Sequence, residues 1–567
     1  MSNHLEKRWE IAPPPPEDID SALGEFHPVL RRLLYNRGLR DVEEAYNYLE
    51  LEGSLYDPFL LTDMDKAVAR LLQAVQNEEP IAVYGDYDVD GVTASVVLVQ
   101  ALRQLGAQVS PYIPDRFEEG YGLNCQAVKK LAQAGVKLVI SVDCGIRSPS
   151  EVRLAKEEGM GFIIADHHEP GNILPDADAV VCQKRSDDPY PDKNLAAVGL
   201  AYKLVEALYS KIEKDRQELN KWLDLVAIGT VADVVPLQGE NRALVRAGLE
   251  HLRQGGRQGL FSLAGAASLN LACANAYSIG FILAPRLNAA GRLESALDAF
   301  NLLMCTETET AGQLAQKLDN LNRERQEKTR QMYLEAEMLT KEAEGEHILF
   351  VCKSKEDFNE GVVGLVAARL VENYYRPSIV AVMDSEKGIT RASCRSIPEF
   401  HITRALDQCA PLLERYGGHA MAAGFNARND RLDELQRQLK TIASNELDGR
   451  VLRPTLRADM EIPLCELRPE LLDYIGMIEP SGHKNPEVSF VSRNLKVRSK
   501  RSVGKQGEHL RLTVSDDKIT YDGIAFGFGN WAEKMPEYVD LLYAFETNTY
   551  QGNTSLQLKV KDIKPSR

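Results

Sequence analysis

Short apolar runs alternate with helical repeats along the first half of the chain. "PIAVYG" reads as a strand, and from Val92 to Leu105 the apolar residues recur at helical spacing. "AQVSPYI" is strand-like, Cys125 to Ala134 helical, "KLVISV" a strand, Pro149 to Glu158 helical, and "GFIIA" another strand. This rhythm predicts a parallel sheet covered by helices. In "LDLVAIGTVADVVP" the apolar positions return to helical spacing, and Pro236 stops the run. Glu307 to Glu344 holds no proline and a single glycine, which predicts one helix of about 50 Å connecting two lobes. A second α/β region runs from "HILFVC" through "AMAAGF". Beyond about Val451 the pattern changes to period two, with Leu510, Leu512 and Val514 and then Leu556, Leu558 and Val560. That predicts an antiparallel β domain, a small barrel. The stretch up to residue 60 reads as a polar lead, with Pro13 to Pro16 a polyproline II spacer.

Composition narrows the class. A chain of 567 residues with 44% hydrophobic and 26% charged residues is a multidomain globular protein. No apolar run is long enough to cross a bilayer, and "MSNHLEKRWE" lacks a signal-peptide core. Nine cysteines without a CxxC pair predict reduced thiols in a cytoplasmic protein. The net charge of −16 argues against a polyanionic partner on average. Arg493 to Arg511 departs from that average, with seven Lys/Arg against one Glu. A local basic strip is enough to hold a polyanion.

The sharpest chemical signal is "YGDYDVDG", which crowds Asp86, Asp88 and Asp90 into five residues. Repulsion and desolvation both oppose this, so a cation is expected there. An EF-hand loop starts the same way, but its twelfth position, counted from Asp86, is Val97 rather than Glu, and a strand precedes it rather than a helix. Two further strands end in acids: "KLVISVDCG" delivers Asp143, and "GFIIADHHEP" delivers Asp166, His167 and His168. In an open parallel sheet the C-terminal strand ends line the ligand crevice. "VAIGTVADVVP" adds Asp233. Any one of these acids alone is most simply a helix cap. Jointly, an oxygen-rich set with imidazole and no thiolate pair favours manganese or magnesium over structural zinc. There are carboxylates enough for two ions bridged by one Asp, an arrangement suited to in-line attack on phosphate and so to phosphoester hydrolysis.

"GDYDVDG", "SVDCGI", "ADHHEP" and "IGTVADVVPL", in this order, resemble the signature motifs of the DHH phosphoesterase superfamily. "LAPRLNAAGRL", "EGVVGLVAARL", "ASCRS" and "YGGHAMAAGF" resemble later motifs of its RecJ branch, over roughly residues 60 to 490. The resemblance implies an α/β, two-lobed DHH phosphoesterase core, a parallel-sheet lobe plus a DHH-associated lobe joined by a long helix, with a C-terminal OB-type antiparallel barrel. The expected boundaries are an extension at 1–60, the DHH catalytic domain at 61–305, the connecting helix at 306–345, the DHH-associated substrate-binding domain at 346–450 and the OB-like domain at 451–567. The implied activity is 5′-to-3′ degradation of single-stranded DNA to mononucleotides with two Mn²⁺ or Mg²⁺ ions, in repair and recombination.

Asp88, Asp90, Asp143, His167 and Asp233 match the family's metal positions, with Asp143 as the bridge. Asp86 and Asp166 are adjacent acids expected to orient ligands or water, and His168 to contact the scissile phosphate. A 5′-phosphate pocket matches Arg116, Ser393 and Arg395. Arg286, Asn288 and Arg292 either contact the strand or brace the lobe junction. Gly417, Gly418 and His419 match a substrate-binding motif, and Lys496, Arg498, Lys500 and Arg501, with Phe526, Phe528 and Trp531, match a barrel groove for DNA. The implied partners are single-stranded DNA with a free 5′ end, a single-stranded-DNA-binding protein and a helicase; a monomer is expected. The chain departs from the branch at Lys484, where a glycine is usual, and at Phe358–Asn359, where a Trp-His pair is usual. Two rival readings are a DHH hydrolase of small nucleotides, which has no need of the barrel, and an inactive DNA-binding scaffold, expected to have lost metal residues.

Overall fold

The computed structural model describes residues 6–50, 55–116, 119–120, 122–341, 345–550 and 553–566. The chain divides into two compact units. One comprises Pro15–Asn322 together with Glu470–Val488; the other holds the residues up to Pro14, Arg323–Pro469 and Ser489 onward. The backbone therefore passes from unit to unit four times, after Pro14, Asn322, Pro469 and Val488.

The first unit is organised by five parallel strands in the order Val109–Tyr112, Ile81–Tyr84, Leu138–Val142, Gly161–Ala165 and Ala179–Val181. Their side chains alternate between two cores. Ile81, Val83, Ile140, Val142 and Ile163 face helices Met64–Gln76, Val89–Gln104, Ala197–Lys211 and Leu223–Ala232. Tyr84, Val139, Phe162 and Ile164 face Cys125–Gln133 and Pro149–Glu157. Covering both faces makes the central strands almost wholly apolar and leaves their C-terminal ends as the open rim.

The lead before residue 60 is not simply polar. Helices Glu17–Ala22, Pro28–Asn36 and Val42–Leu49 bury Leu23, Leu30, Leu33 and Leu34, and Arg8–Ile11 pairs in parallel with Thr455–Ala458. These elements are short and flanked by charge, so few apolar positions carry each, and the periodicity is too brief to read. Pro16, at φ −58° and ψ 155°, keeps the extended spacer conformation.

Residues 470–488, expected in the barrel domain, belong to the first unit. Tyr474 stacks on His27 at 4.8 Å, and Arg242 donates to the carbonyls of Met477 (2.7 Å) and Glu479 (3.0 Å). Lys484 stands at φ 61°, in the left-handed region where glycine is the usual occupant. The turn around it is held by Asn485, whose side-chain amide donates to the carbonyls of Ile478 and Pro480.

The second unit contains a five-stranded sheet, ordered Arg415–Gly418, Ala422–Arg428, Ile389–Arg395, Ser378–Asp384 and Leu349–Ser354. Phe358 is buried in its core, and Asn359 accepts a hydrogen bond from the Gly361 amide. The helix Thr308–Lys341 is 34 residues long, as the sequence pattern predicts. The barrel closes through Phe490–Val503, His509–Ser515, Thr520–Ala525, Asn553–Pro565 and Tyr538–Tyr550, the last pairing back to the first. Thr520–Ala525 and Asn553–Pro565 pair in parallel and the other pairings around the ring are antiparallel. Leu510, Leu512, Val514, Leu558 and Val560 form its interior. Among the described residues no helix is long and apolar enough to cross a membrane.

Candidate metal centre

The site is assembled at the strand ends of the first unit. Strand Ile81–Tyr84 runs into Gly85 and Asp86, and the chain turns at once into helix Val89–Gln104. Asp88 caps this helix, accepting from the amides of Asp90 (3.0 Å) and Gly91 (3.1 Å). Gly91 is required there, because a Cβ would come within 2.6 Å of the Asp86 amide nitrogen. Asp90, fully buried, accepts from the amides of Ala197 and Val198, both at 2.8 Å. These two residues begin the helix Ala197–Lys211, so its N-terminal dipole faces the carboxylate. Gly229 lets the helix carrying Asp233 approach, since a Cβ would lie 2.7 Å from Val198 and 2.9 Å from Asp90 Oδ1.

Asp143 follows its strand in the left-handed conformation at φ 63°. Its Oδ1 lies 3.1 Å from His167 Nε2, with Asp233 and Asp90 at 3.7 and 3.9 Å from the same nitrogen. Both ring nitrogens of His167 and Oδ1 of Asp86 are buried without a hydrogen-bond partner. Three donor groups emerge, Asp86–Asp88–Asp143, Asp90–His167–Asp233 and Asp143–His167–His168, each with its ligand atoms within 4.8 Å of one another. Asp143 and His167 each belong to two of them.

The electrostatics are those of a cluster lacking its counter-charge. Burial, then Asp88, pushes the carboxyls of Asp86 and Asp143 well above the usual range. The same two causes raise Asp90 to about 7. Burial, then Asp90, raises Asp233 to about 9. Burial, then His168, pushes His167 down to about 3, which keeps the imidazole neutral and its lone pair usable as a ligand. A bound cation reverses this logic by favouring every carboxylate in its charged form. Orphaned buried donors of this type, oxygen and imidazole without thiolate, fit divalent manganese or magnesium.

Asp166 is engaged otherwise. Its Oδ1 accepts from the His168 amide (3.0 Å) and meets His168 Nδ1 at 2.7 Å, while Oδ2 accepts from the Ile146 amide (2.9 Å). Burial opposes its charge, but His168, through its hydrogen bond and its charge, together with the Ile146 amide outweighs that and holds its carboxyl below the usual range. Burial likewise opposes protonation of His168, and Asp166 outweighs it, raising His168. Nδ1 therefore donates to the Asp166 carboxylate. Asp86, expected to orient ligands or water, lies with Asp88 and Asp143 in one of the donor groups.

Arg116 lies over the Tyr87 ring at 5.1 Å. Two residues of its motif, Phe117 and Glu118, lie outside the described residues, as does Tyr121. Arg286 is occupied in bracing, pairing with buried Asp319 at 2.9 Å and donating to the Ile282 carbonyl at 2.7 Å. Asn288 accepts from the Val89 amide at 3.2 Å and so steadies the acid-bearing turn; Arg292 is half-buried on the same helix, Ala284–Leu293. Sequence reasoning missed the Ala197 and Val198 amides, which no motif marks.

In the second unit, Ser393 and Arg395 share one strand, and Arg395 Nη1 donates to Ser393 Oγ (3.3 Å) and the Cys394 carbonyl (2.8 Å). A Cβ on Gly364 would lie 3.0 Å from Ser393 Oγ and 3.1 Å from Arg395 Nη2, which puts the first turn of helix Val363–Tyr374 beside the guanidinium. Gly417 and Gly418 end a strand, and exposed His419 sits in the hairpin that follows. On the barrel, Lys496 pairs with Glu537 (3.3 Å), Arg498 with Asp517 (3.1 Å), and Lys500 donates to the Met535 carbonyl, while Arg501 is exposed. Phe528 is buried, Phe526 is 58% exposed, and Trp531 lies between them in exposure.

Residues 80–230 match the DHH family N-terminal domain, 347–445 the DHHA1 domain and 458–562 the RecJ OB domain. The single-stranded-DNA-specific exonuclease RecJ of Bacillus subtilis is 38% identical over 99% of this chain and 71% of its own length. The corresponding exonuclease of Dickeya dadantii is 36% identical over 95% of this chain and 96% of its own. The crystal structure of RecJ in complex with Mn²⁺ from Thermus thermophilus has a TM-score of 0.84, covering 99% of this chain and 80% of that one at 28% identity.

Proposed function

Because the chain belongs to the RecJ family of single-stranded-DNA-specific exonucleases, we propose that it hydrolyses single-stranded DNA from the 5′ end, releasing mononucleotides, with Mn²⁺ or Mg²⁺ as cofactor. The observation that carries this reading is the set of orphaned buried donors at the strand ends, with Asp143 and His167 shared between donor groups. Asp86, Asp88, Asp90, Asp143, His167 and Asp233 would hold two divalent ions. When bound, such ions offset phosphate charge, lower the pKa of water and stabilise the leaving oxygen.

The chain's own residues do the rest. Asp88 and Asp90 are fixed by backbone amides before any substrate arrives, so little reorganisation remains. Asp166 holds the Nδ1 proton of His168 and favours the protonated ring, so the imidazolium can donate from Nε2 to an oxygen of the scissile phosphate. Ser393, Arg395 and the first turn of helix Val363–Tyr374 offer hydroxyl, guanidinium and backbone donors for a terminal 5′-phosphate. The Gly417–His419 hairpin and the exposed barrel cations offer the strand further donors. We place the enzyme in the cytoplasm, as a monomer acting in repair and recombination beside a helicase and a single-stranded-DNA-binding protein.

The test is digestion of 5′-labelled and 3′-labelled single strands with manganese, beside duplex DNA and a cyclic dinucleotide. Early release of the 5′ label as mononucleotide, with the duplex spared, is the expected result. Hydrolysis of the small nucleotide alone would overturn the substrate and keep the site. Inactivity on everything with metal bound would point to a scaffold.

A further inference from the structure

Tyr277 and Phe281 are 59% and 69% exposed, yet their rings stack at 4.6 Å with an interplanar angle of 21°. The backbone explains why they meet. Asn275 caps the segment, its side-chain oxygen accepting from the Ser278 amide at 3.0 Å. Pro285 follows, and without an N–H it cannot continue the regular ladder to Phe281. The chain absorbs this as a π-helical stretch, Ser278–Leu283, before the α-helix Ala284–Leu293 begins. Residues four apart share one face of such a helical run, and π insertions concentrate at functional sites.

The placement is specific. A Cβ on Gly280 would touch Val231 at 3.6 Å, two residues before Asp233, and Val234 just beyond is 64% exposed. At the other end of the same helical run, Asn288 holds the Val89 amide, and a Cβ on Gly291 would meet the Tyr87 carbonyl at 2.6 Å. At a rise of 1.5 Å per residue, Phe281 lies about 10 Å along the axis from Asn288. The buried side, Ile279 and Leu283, fixes the run, and Arg286 ties it to Asp319. The aromatic pair is thus rigidly mounted and wet, on the helical run that borders the acidic cluster at both ends.

We infer that Tyr277 and Phe281 form a stacking step for unpaired nucleobases, holding the strand beside the metal centre while the scissile phosphate is engaged. This rests on the reading of the chain as a single-strand exonuclease. Unpaired bases are the apolar flat surface such a substrate brings to this edge, and stacking on aromatics accepts every base. A paired base cannot leave its partner to join the step without unstacking, so the pair also adds to discrimination against duplex.

The experiment compares two 5′-phosphorylated single strands, one fully based and one abasic at its first several positions, digested by the same preparation. Taking the ratio of the two rates on one sample cancels any difference in folded fraction. For the unchanged protein the ratio is expected to favour the based strand roughly 10-fold or more, the scale of one or two stacked bases. Tyr277→Ala with Phe281→Ala should bring the ratio towards one, and Tyr277→Trp with Phe281→Trp should restore it. A double alanine variant that keeps the unchanged protein's ratio would overturn the inference and leave the proposed function standing. Failure of the unchanged protein to digest the based strand would overturn the proposed function itself, and the inference with it.

Discussion

The first unit buries two clusters of charge, built on opposite principles. Around Lys203, whose side chain is fully buried, every charge is answered: Glu240 at 2.6 Å, Glu206 at 2.9 Å and the Tyr56 carbonyl at 2.7 Å. Tyr190 donates its hydroxyl to Glu240, and Arg216 completes Glu206 at 2.7 Å. At the strand ends, by contrast, Asp86, Asp88, Asp90, Asp143 and Asp233 form no ion pair with Lys or Arg among the described residues, and neither ring nitrogen of His167 has a hydrogen-bond partner. A complete cluster is architecture. Buried carboxylates gathered around imidazole are instead the donor chemistry that a hard divalent cation takes.

The comparison breaks most visibly at Asp143. Asp143→Ala is expected to cut turnover on single-stranded DNA on the order of 10³-fold, because several kcal/mol of charge stabilisation depend on the shared carboxylate. Its metal-free melting temperature should not fall, since burial and Asp88 already disfavour that charge. Near-normal turnover would remove Asp143 from the centre. Lys203→Met is the mirror case. Stranding Glu240 and Glu206 should cost about 3–5 kcal/mol in urea unfolding, while turnover per folded molecule is retained. A variant as stable as the parent would show that the complete cluster is not structural.

Manganese sharpens the contrast. At 100-fold above its Kd it should stabilise the parent by about 2.7 kcal/mol, a shift that a chelator reverses and that Asp143→Ala loses. Equal shifts in parent and variant would place the ion elsewhere.

Arg395 carries the same logic into the second unit, with the sign reversed. It is a half-buried guanidinium whose named partners, Ser393 Oγ and the Cys394 carbonyl, are neutral. Arg395→Ala should lower kcat/KM on 5′-phosphorylated ends by roughly 10-fold or more, the scale of a charge-assisted hydrogen bond, and spare unphosphorylated ends. Equal loss on both would rule out a phosphate pocket. The smallest effect belongs to the barrel. Reversing Lys496, Arg498, Lys500 and Arg501 should reduce the salt slope of binding by about 0.7 for each phosphate no longer neutralised. Because Lys496 and Arg498 already share carboxylates, most of that reduction should come from Lys500 and Arg501, which single reversals would show.

What was legible in the sequence follows from range. Strand ends carrying Asp86, Asp143 and Asp166 could be found because apolar run and acid are adjacent in the chain. The clamp on Asp90 could not, since its donors are Ala197 and Val198, ordinary residues 107 and 108 positions away. Arg286 read equally well as a DNA contact or a brace until Asp319 appeared beneath it. Phe526 and Phe528 are two residues apart in an aromatic, glycine-rich stretch, yet one is exposed and the other buried. The sequence shows such a stretch but not which way each ring points. Gly364 escaped notice for a further reason: its role lies in a side chain it lacks.

The four passages between units also set a timetable for synthesis. The strand Arg8–Ile11 is made about 450 residues before its partner, Thr455–Ala458. At about 5–20 residues per second, that leaves an unpaired edge waiting roughly 20–90 s on the ribosome. "RWEI" is four residues long and carries both a cation and an anion, which makes it a poor template for pairing with a neighbouring nascent chain. The strand therefore stays unpaired until a segment made about 450 residues after it reaches its edge.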